Sequence, residues 1–477
     1  MKPISEAPGP TPWLPATLLW QLRRRPLAFL SELSAEYGNV VQFRIGGRQI
    51  CLFNDPDLVE EVLVKQNKSL VKGQALQRAR RLLGNGLLTN EGPDHLRQRR
   101  LMQPAFHKEQ ITAYANTMIR FSEREAGRWQ DGQTIDIHEA MMRLTLAIVG
   151  QTLFQADIEE DAPQVGAALE VLLGQFRRLI SPLAPILEQL PTPANQRYQA
   201  ALDQLNDLVA ELITERRHSG DQGDLLSMLL MAQEDGQGMS DEQLRDEVMT
   251  LLLAGHETTA NALSWTWYLL GQHPEVAERL YAEWDALFAG RAPTFAAVPQ
   301  LSYTRQVFSE ALRLYPPAWI IGRQAVTDVT IGEYEVPAGA TILVSQYLMH
   351  HHPRYYPEPE RFDPERWTAE ATAERPKFAF FPFGAGARFC IGERFAWMEG
   401  LLLLATIGQQ WQISIIPGTD VQPSPQVTLR PAEGLPVRVH RRTVRSGPSG
   451  NCATAAIGQQ LDCAHDAIDP IADPAHA

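Results

Sequence analysis

Phe383-Gly384-Ala385-Gly386-Ala387-Arg388-Phe389-Cys390-Ile391-Gly392 sets a single cysteine in a glycine-rich bend, with an arginine two residues ahead of it. A cysteine so placed suits an axial thiolate on haem iron, where sulfur pushes electron density through the metal and favours O–O cleavage. Such a thiolate must be guarded from protonation and oxidation. Glycines let backbone N–H groups approach the sulfur and tune the metal. Phe383 is placed to shield it from water, and Arg388 to pair with an anionic propionate through charge-assisted hydrogen bonds. Taken alone, Cys390 would read as a small buried hydrophobe in a turn. The surrounding pattern argues the other way.

The spacing F-x-x-G-x-R-x-C-x-G resembles the haem-binding signature of the cytochrome P450 superfamily of haem-thiolate monooxygenases. The resemblance runs from about Pro8 to Arg442 and implies a mainly α fold with small β-sheets. That fold is a triangular prism with haem b held between a long central helix and the cysteine loop. Within the signature, Cys390 would be the metal ligand, with Phe383, Gly386, Arg388 and Gly392 shaping the cofactor site.

The bulk composition agrees with one large globular unit. The chain has 477 residues, 44% of them hydrophobic and 21% charged, and no Pro/Gly/Ser-rich linker divides its middle, so residues 1–445 read as one catalytic domain. A formal net charge of -13 argues against nucleic acid as a partner, because phosphate recognition needs a clustered basic surface. Twelve histidines are scattered without zinc-like spacing. Cys51, Cys390, Cys452 and Cys463 form neither a C-x-x-C pattern nor a disulfide framework, which fits a reducing, cytoplasmic setting.

The N-terminal run Trp13-Leu14-Pro15-Ala16-Thr17-Leu18-Leu19-Trp20 is short and broken by proline, whereas a span needs roughly 18 or more apolar residues. A soluble protein without a transmembrane anchor is expected, and Pro8-Gly9-Pro10 resembles the hinge that follows the anchor in membrane-bound members. From Ser446 the sequence turns Ala/Asp/Pro-rich without steady periodicity, so 446–477 reads as a disordered tail carrying Cys452 and Cys463 as free thiols.

Ser240 with Gln243 makes a capping box, and apolar residues then recur at helical spacing through Val248, Leu251, Leu252, Leu263, Trp267 and Leu270 until Gly271 and Pro274. About thirty residues of helix, roughly 45 Å, would cross a large domain. In its middle, Ala254-Gly255-His256-Glu257-Thr258-Thr259 is either a surface-facing polar patch or a functional interruption. Small side chains at Ala254 and Gly255 would leave room for a ligand, and Thr258 could divert a backbone hydrogen bond and open the helix. The stretch resembles the family's A-G-x-[DE]-T motif over the oxygen-binding side of the haem. That match implies that Thr258 hydrogen-bonds dioxygen or a nearby water and that Glu257 relays protons from bulk solvent. His256 reads as a packing or surface residue.

Glu310 and Arg313 stand at i, i+3 on a helix ending before Pro316-Pro317. Alone they would be a surface ion pair. The family pairs such residues with an arginine from a P-E-R-[FW] segment, here Pro364-Glu365-Arg366-Trp367, so the resemblance implies a buried network of Glu310, Arg313 and Arg366 behind the haem. His95 and Arg99 share a face at i, i+4 on a helix opening after Pro93. They match the family's W-x-x-x-R with histidine in place of tryptophan, and with Arg323 and Arg388 they are the expected propionate partners.

Arg97 and Arg100, with Lys377 and Arg394, either form a solvated face or a basic patch for an acidic ferredoxin that, with its reductase, supplies electrons. By resemblance the substrate pocket is apolar, bordered by Leu87, Leu88, Ala254, Ala318, Trp319, Ile320, Val427 and Thr428, and suits a fatty acid, terpenoid or carotenoid-like substrate. Arg48 after a Gly-Gly turn is either an entrance cation or a solvated one. The expected reaction inserts one oxygen atom from O₂. Haem-thiolate peroxygenases or isomerases, which need no acid–alcohol pair, and a non-catalytic haem sensor or electron carrier are the alternatives.

Overall fold

A capped, deeply buried helix forms the axis of the computed structural model, which describes residues 1–11, 16–156, 162–179, 190–233 and 238–443. Trp13, Leu14 and Pro15, and the expected tail with Cys452 and Cys463, lie outside the described residues. The axial helix is Asp241–Gln272. The Ser240 hydroxyl accepts from Gln243 N at 3.2 Å and the Gln243 side chain accepts from Ser240 N at 3.1 Å, so two of the helix's orphan donors are satisfied reciprocally. The helix passes Gly271 and stops at Gln272, because Pro274 opens the next helix, Pro274–Phe288.

Nearly every residue from Val248 to Leu270 is buried, Trp265 and Trp267 completely. The helices Ile137–Phe154, Pro193–Ser219, Ser302–Leu314 and Glu393–Gln410 all pack against it. Trp265 stacks on Tyr315 with ring centroids 4.0 Å apart.

The sheets are small. The largest has five strands in the order Val40–Ile45, Arg48–Phe53, Thr341–Val344, Ile321–Ala325, Leu70–Lys72. Its first hairpin turns through Gly46 and Gly47 at φ +56° and +80°, which sets Ile45 opposite Arg48. The edge strand is covered by the N-terminal segment, where Pro8 O accepts from Gln42 N at 3.0 Å. The last antiparallel pair of this sheet places Lys72 directly opposite Arg323. Farther along the chain, Pro423–Pro425 and Leu429–Pro431 make a short hairpin whose turn is Gln426-Val427-Thr428. Among the described residues no helix is long and apolar enough to cross a membrane.

The E-x-x-R pair is not at the surface. Glu310 and Arg313 are both fully buried, joined by two parallel hydrogen bonds of 2.8 Å. Arg313 spends its remaining donors on the carbonyls of His350, Pro359 and Arg361. Glu310 also accepts from Trp367 Nε1 at 2.9 Å and Asp363 N at 3.0 Å. The Arg366 Nε lies 3.4 Å from Glu310, while its Nη2 donates to the carbonyls of both Pro357 and Glu358. A buried pair with every lone pair and proton spoken for is tolerated, but one stripped of a partner is costly. Glu310→Ala should therefore lower stability by about 3–5 kcal/mol, read from the urea unfolding midpoint of the haem-loaded enzyme. Arg361→Ala, which removes an exposed side chain and keeps the carbonyl, should stay within about 0.5 kcal/mol.

Candidate functional site

The cysteine loop is a bend that only glycine can make at two places. Gly384 and Gly386 have φ of +74° and +65°, and a Cβ on Gly386 would lie 2.3 Å from Leu63 O. The chain folds back so that Cys390 N donates to Phe383 O at 3.0 Å, and Gly392 then opens the helix Glu393–Gln410. Gly392 itself is not strained, with φ of -91°; its amide bonds the Cys390 sulfur and favours the thiolate. Cys390 has open surface, yet its thiol sits deep enough that burial pushes it up to about 11, against the pull of the Gly392 amide and Arg99. Phe383 is half-buried, its ring 5.9 Å from Trp397.

The four expected propionate partners lie close together, and a fifth group joins them. His95 is buried on the helix Gly92–Met102. Burial, then the charges of Arg388, Lys72 and Arg99, push its imidazole down to about 3, so it is neutral. Arg99, one turn on, donates to Phe389 O at 2.7 Å, beside the cysteine. Arg388 donates to Asn90 O at 2.8 Å and pairs with the Glu91 carboxylate. Arg323 is buried and pulled down to about 10 by burial and by Arg388.

Lys72, which the sequence reading missed, is buried opposite Arg323, its ammonium on Leu87 O at 2.9 Å and Asn90 O at 2.7 Å. Burial, then Arg388, drag it down to about 6. Its signal in the sequence was a lysine closing the apolar strand Leu70-Val71-Lys72. Like charges directly opposite on a sheet are destabilising. Lys72, Arg99, Arg323 and Arg388 push one another's charges down, and Glu91 is the carboxylate that enters their balance, so the donor set fits a further anionic ligand.

The Ala254–Thr259 stretch is not a surface patch, and its residues face different neighbours. Ala254 is exposed. Gly255, expected to make room for a ligand, instead admits a neighbouring helix: a Cβ there would sit 3.1 Å from Val149. His256 is fully buried as a packing residue, with Nδ1 on Leu252 O at 2.5 Å. Thr258 donates to Ala254 O at 2.8 Å, but the helix stays continuous. The hydroxyl adds a second bond to that carbonyl without displacing the ladder. Glu257 is buried and accepts from the Thr428 hydroxyl at 2.6 Å. Burial raises its carboxyl, while Thr428 and Arg430 hold it down.

The apolar segments divide likewise. Trp319, expected at the pocket wall, is packed in a core cluster with Phe29, Phe43 and Leu429, and its Nε1 donates to Gln426 O at 3.1 Å. Ile320 packs against the same cluster. Ala318 and Leu88 remain exposed, while Leu87 and Val427 are half-buried against the main core.

The cytochrome P450 family model matches residues 7–436. The chain belongs to the cytochrome P450 family. It is 43% identical over 419 residues to cyclooctat-9-en-7-ol 5-monooxygenase of Streptomyces melanosporofaciens, covering 87% of this chain and 90% of that one. It is 40% identical over 441 residues to pentalenene oxygenase of Streptomyces avermitilis, covering 92% and 97%. The crystal structure of the cytochrome P450DA haem domain superposes with a TM-score of 0.82 at 31% identity, covering 92% of this chain and 98% of that one. The chain is thus a P450 monooxygenase of the bacterial type, with the P450 fold, haem b as cofactor and O₂ as co-substrate.

If the cation cluster serves the haem carboxylates, Lys72→Met should speed haem loss to an acceptor apoglobin by about ten- to a hundredfold, since a hydrogen bond to a charged group contributes about 1.5–3 kcal/mol. An unchanged transfer rate would remove Lys72 from the site.

Proposed function

We propose that this P450 oxidises a hydrophobic terpenoid, with Cys390 as the iron ligand and Lys72, His95, Arg99, Arg323 and Arg388 around the propionates. The observation that carries the reading is the convergence of these side chains from four separate segments, the glycine-bent cysteine loop among them. Haem supplies the thiolate-assisted activation of dioxygen. Overall, one oxygen atom enters a C–H or C=C bond of the substrate and the other leaves as water, consuming two electrons and two protons.

The chain's own residues manage the protons and exclude water. Burial keeps Glu257 protonated to higher pH than an ordinary carboxyl, so it can store a proton for delivery. The Thr258 hydroxyl, half-exposed beside Ala254, is the group through which that proton reaches the oxygen being reduced. Ala254, Ala318, Leu88, Leu87 and Val427 offer apolar surface without a charged partner, which suits a substrate with little polarity. The named substrates of the two Streptomyces relatives, an -ene and an -en-7-ol, have that character. A terpenoid alkene or alcohol is the class favoured over fatty acids and carotenoids.

Electrons come from a separate donor, for which we favour a ferredoxin and its reductase in the cytoplasm. Arg100, Lys377 and Arg394 are exposed and carry the basic patch. Arg97 reaches Gly238 O at 3.4 Å and is drawn toward the long helix's start.

A type I spectral-shift screen should give shifts with cyclic terpenes ahead of fatty acids, and Cys390→Ser should abolish the red-shifted Soret band of the reduced carbon-monoxide complex. Thr258→Ala should divert electrons to hydrogen peroxide and slow product formation by about a hundredfold, the lower range for positioned proton transfer; full coupling would sink its role. Charge reversal at Arg100 and Arg394 should raise the KM for ferredoxin with kcat held, and an unchanged KM would place docking elsewhere.

A further inference from the structure

Glu257 and Thr258 adjoin in sequence but point about 100° apart around the helix, and they have separate partners. Thr258 bonds back to its own helix. Glu257 Oε1 instead takes the Thr428 hydroxyl, on the turn of the hairpin Pro423–Pro425 with Leu429–Pro431, at 2.6 Å. That turn is fixed from several sides. Trp319 Nε1 holds Gln426 O at 3.1 Å, Gln426 N donates to Thr428 O at 3.0 Å, and Leu429 bonds Pro317 O at 2.9 Å and Trp265 Nε1 at 3.0 Å.

Asn261, one helical turn beyond Glu257, donates its Nδ2 to Thr428 Oγ1 at 3.1 Å. Because an amide NH₂ can only donate, Thr428 accepts there and its own proton is left for Glu257. Thr428, Asn261 and Glu257 are all buried. The titratable groups around this contact are few. Arg430 lies on the hairpin, His138 begins the helix Ile137–Phe154, and His256 is the neighbour on the same helix. Burial pushes both histidines down to about 4 and so keeps them neutral. Glu399, on the helix Glu393–Gln410, meets Thr259 on another face.

We propose that Thr428 is a positioning residue of the proton relay: its hydroxyl docks the Glu257 carboxyl on the hairpin and favours the carboxylate left when the proton departs. This rests on the reading of Glu257 and Thr258 as the proton-delivering pair. In each delivery the proton leaves Glu257 from Oε2 toward Thr258, Oε1 keeps the Thr428 bond, and bulk water restores the proton.

The test uses the ferric haem-loaded enzyme. The infrared carboxyl band that disappears in Glu257→Gln is titrated against pH, and the pH profile of product formation is taken alongside. Removing a donor to the carboxylate makes the acid weaker. Thr428→Val should therefore move the band's midpoint, and the alkaline limb of the profile, upward by about one pH unit or more, a tenfold change in proton affinity. Thr428→Ser should restore both, and Asn261→Leu should shift them the same way by less, which keeps the test open should Thr428→Val fold poorly.

An unmoved midpoint in Thr428→Val with the thiolate-type carbon-monoxide spectrum intact would overturn the proposal. So would a shift of the limb by Thr428→Val that persists in the Glu257→Gln background. If Glu257→Gln alone leaves coupling and pH profile unchanged, it is the underlying relay reading that fails.

Discussion

Lys72 and Arg323 stand face to face on neighbouring strands, buried, with Arg388 close enough to depress both. His95 and Arg99 close in from the helix Gly92–Met102. Left to themselves, like charges in a medium of low dielectric push these segments apart. Glu91 offsets part of that repulsion through Arg388 and through the Lys72 amide, whose proton it accepts at 2.5 Å. The rest calls for a ligand with negative charge. On the reading proposed above, the haem carboxylates are that ligand, and the cofactor would then contribute to the cohesion of the fold it occupies.

The Glu310 network solves the opposite problem. There the charges are balanced within the chain, the guanidinium of Arg313 meets a carboxylate in fork geometry, and each remaining donor finds a carbonyl. Such a network holds whether or not a ligand is bound. Two buried charge clusters thus divide the work: one fixes the polypeptide, the other waits on an anion and discriminates for it.

What the sequence made legible was local or chemically distinctive. The capping box, the helix stop before Pro274, the glycine bend at Gly384 and Gly386 and the shared face of His95 and Arg99 all follow from spacing. Pairings distant in sequence were not readable from spacing. Nothing near Gly255 announces Val149, more than a hundred residues earlier, so a packing glycine read as a ligand-clearing one. Trp319 lies in an apolar run in which Ala318 stays exposed while Trp319 and Ile320 pack in one core cluster, a division that no period in the sequence marks. Lys72 became a site residue only when the antiparallel pairing set it against Arg323. Arg366 reaches Glu310 at ion-pair distance, but Trp367 donates the shorter bond, a role the motif alone did not assign.

The long helix shows how one element can serve several neighbours without losing its ladder. Successive residues step about 100° around the axis, so Ala254 and Thr258 share one face, Gly255 meets Val149 on another, and Glu257 with Asn261 turns to the hairpin. A carboxyl placed on such a helix is desolvated, and desolvation makes it a weaker acid. A single hydroxyl from a remote turn opposes this, because it stabilises the charged form more than the neutral one. Thr428 supplies that hydroxyl from a hairpin pinned by Trp265 and Trp319, and the tuning of the acid is thereby built into the packing of two buried indoles.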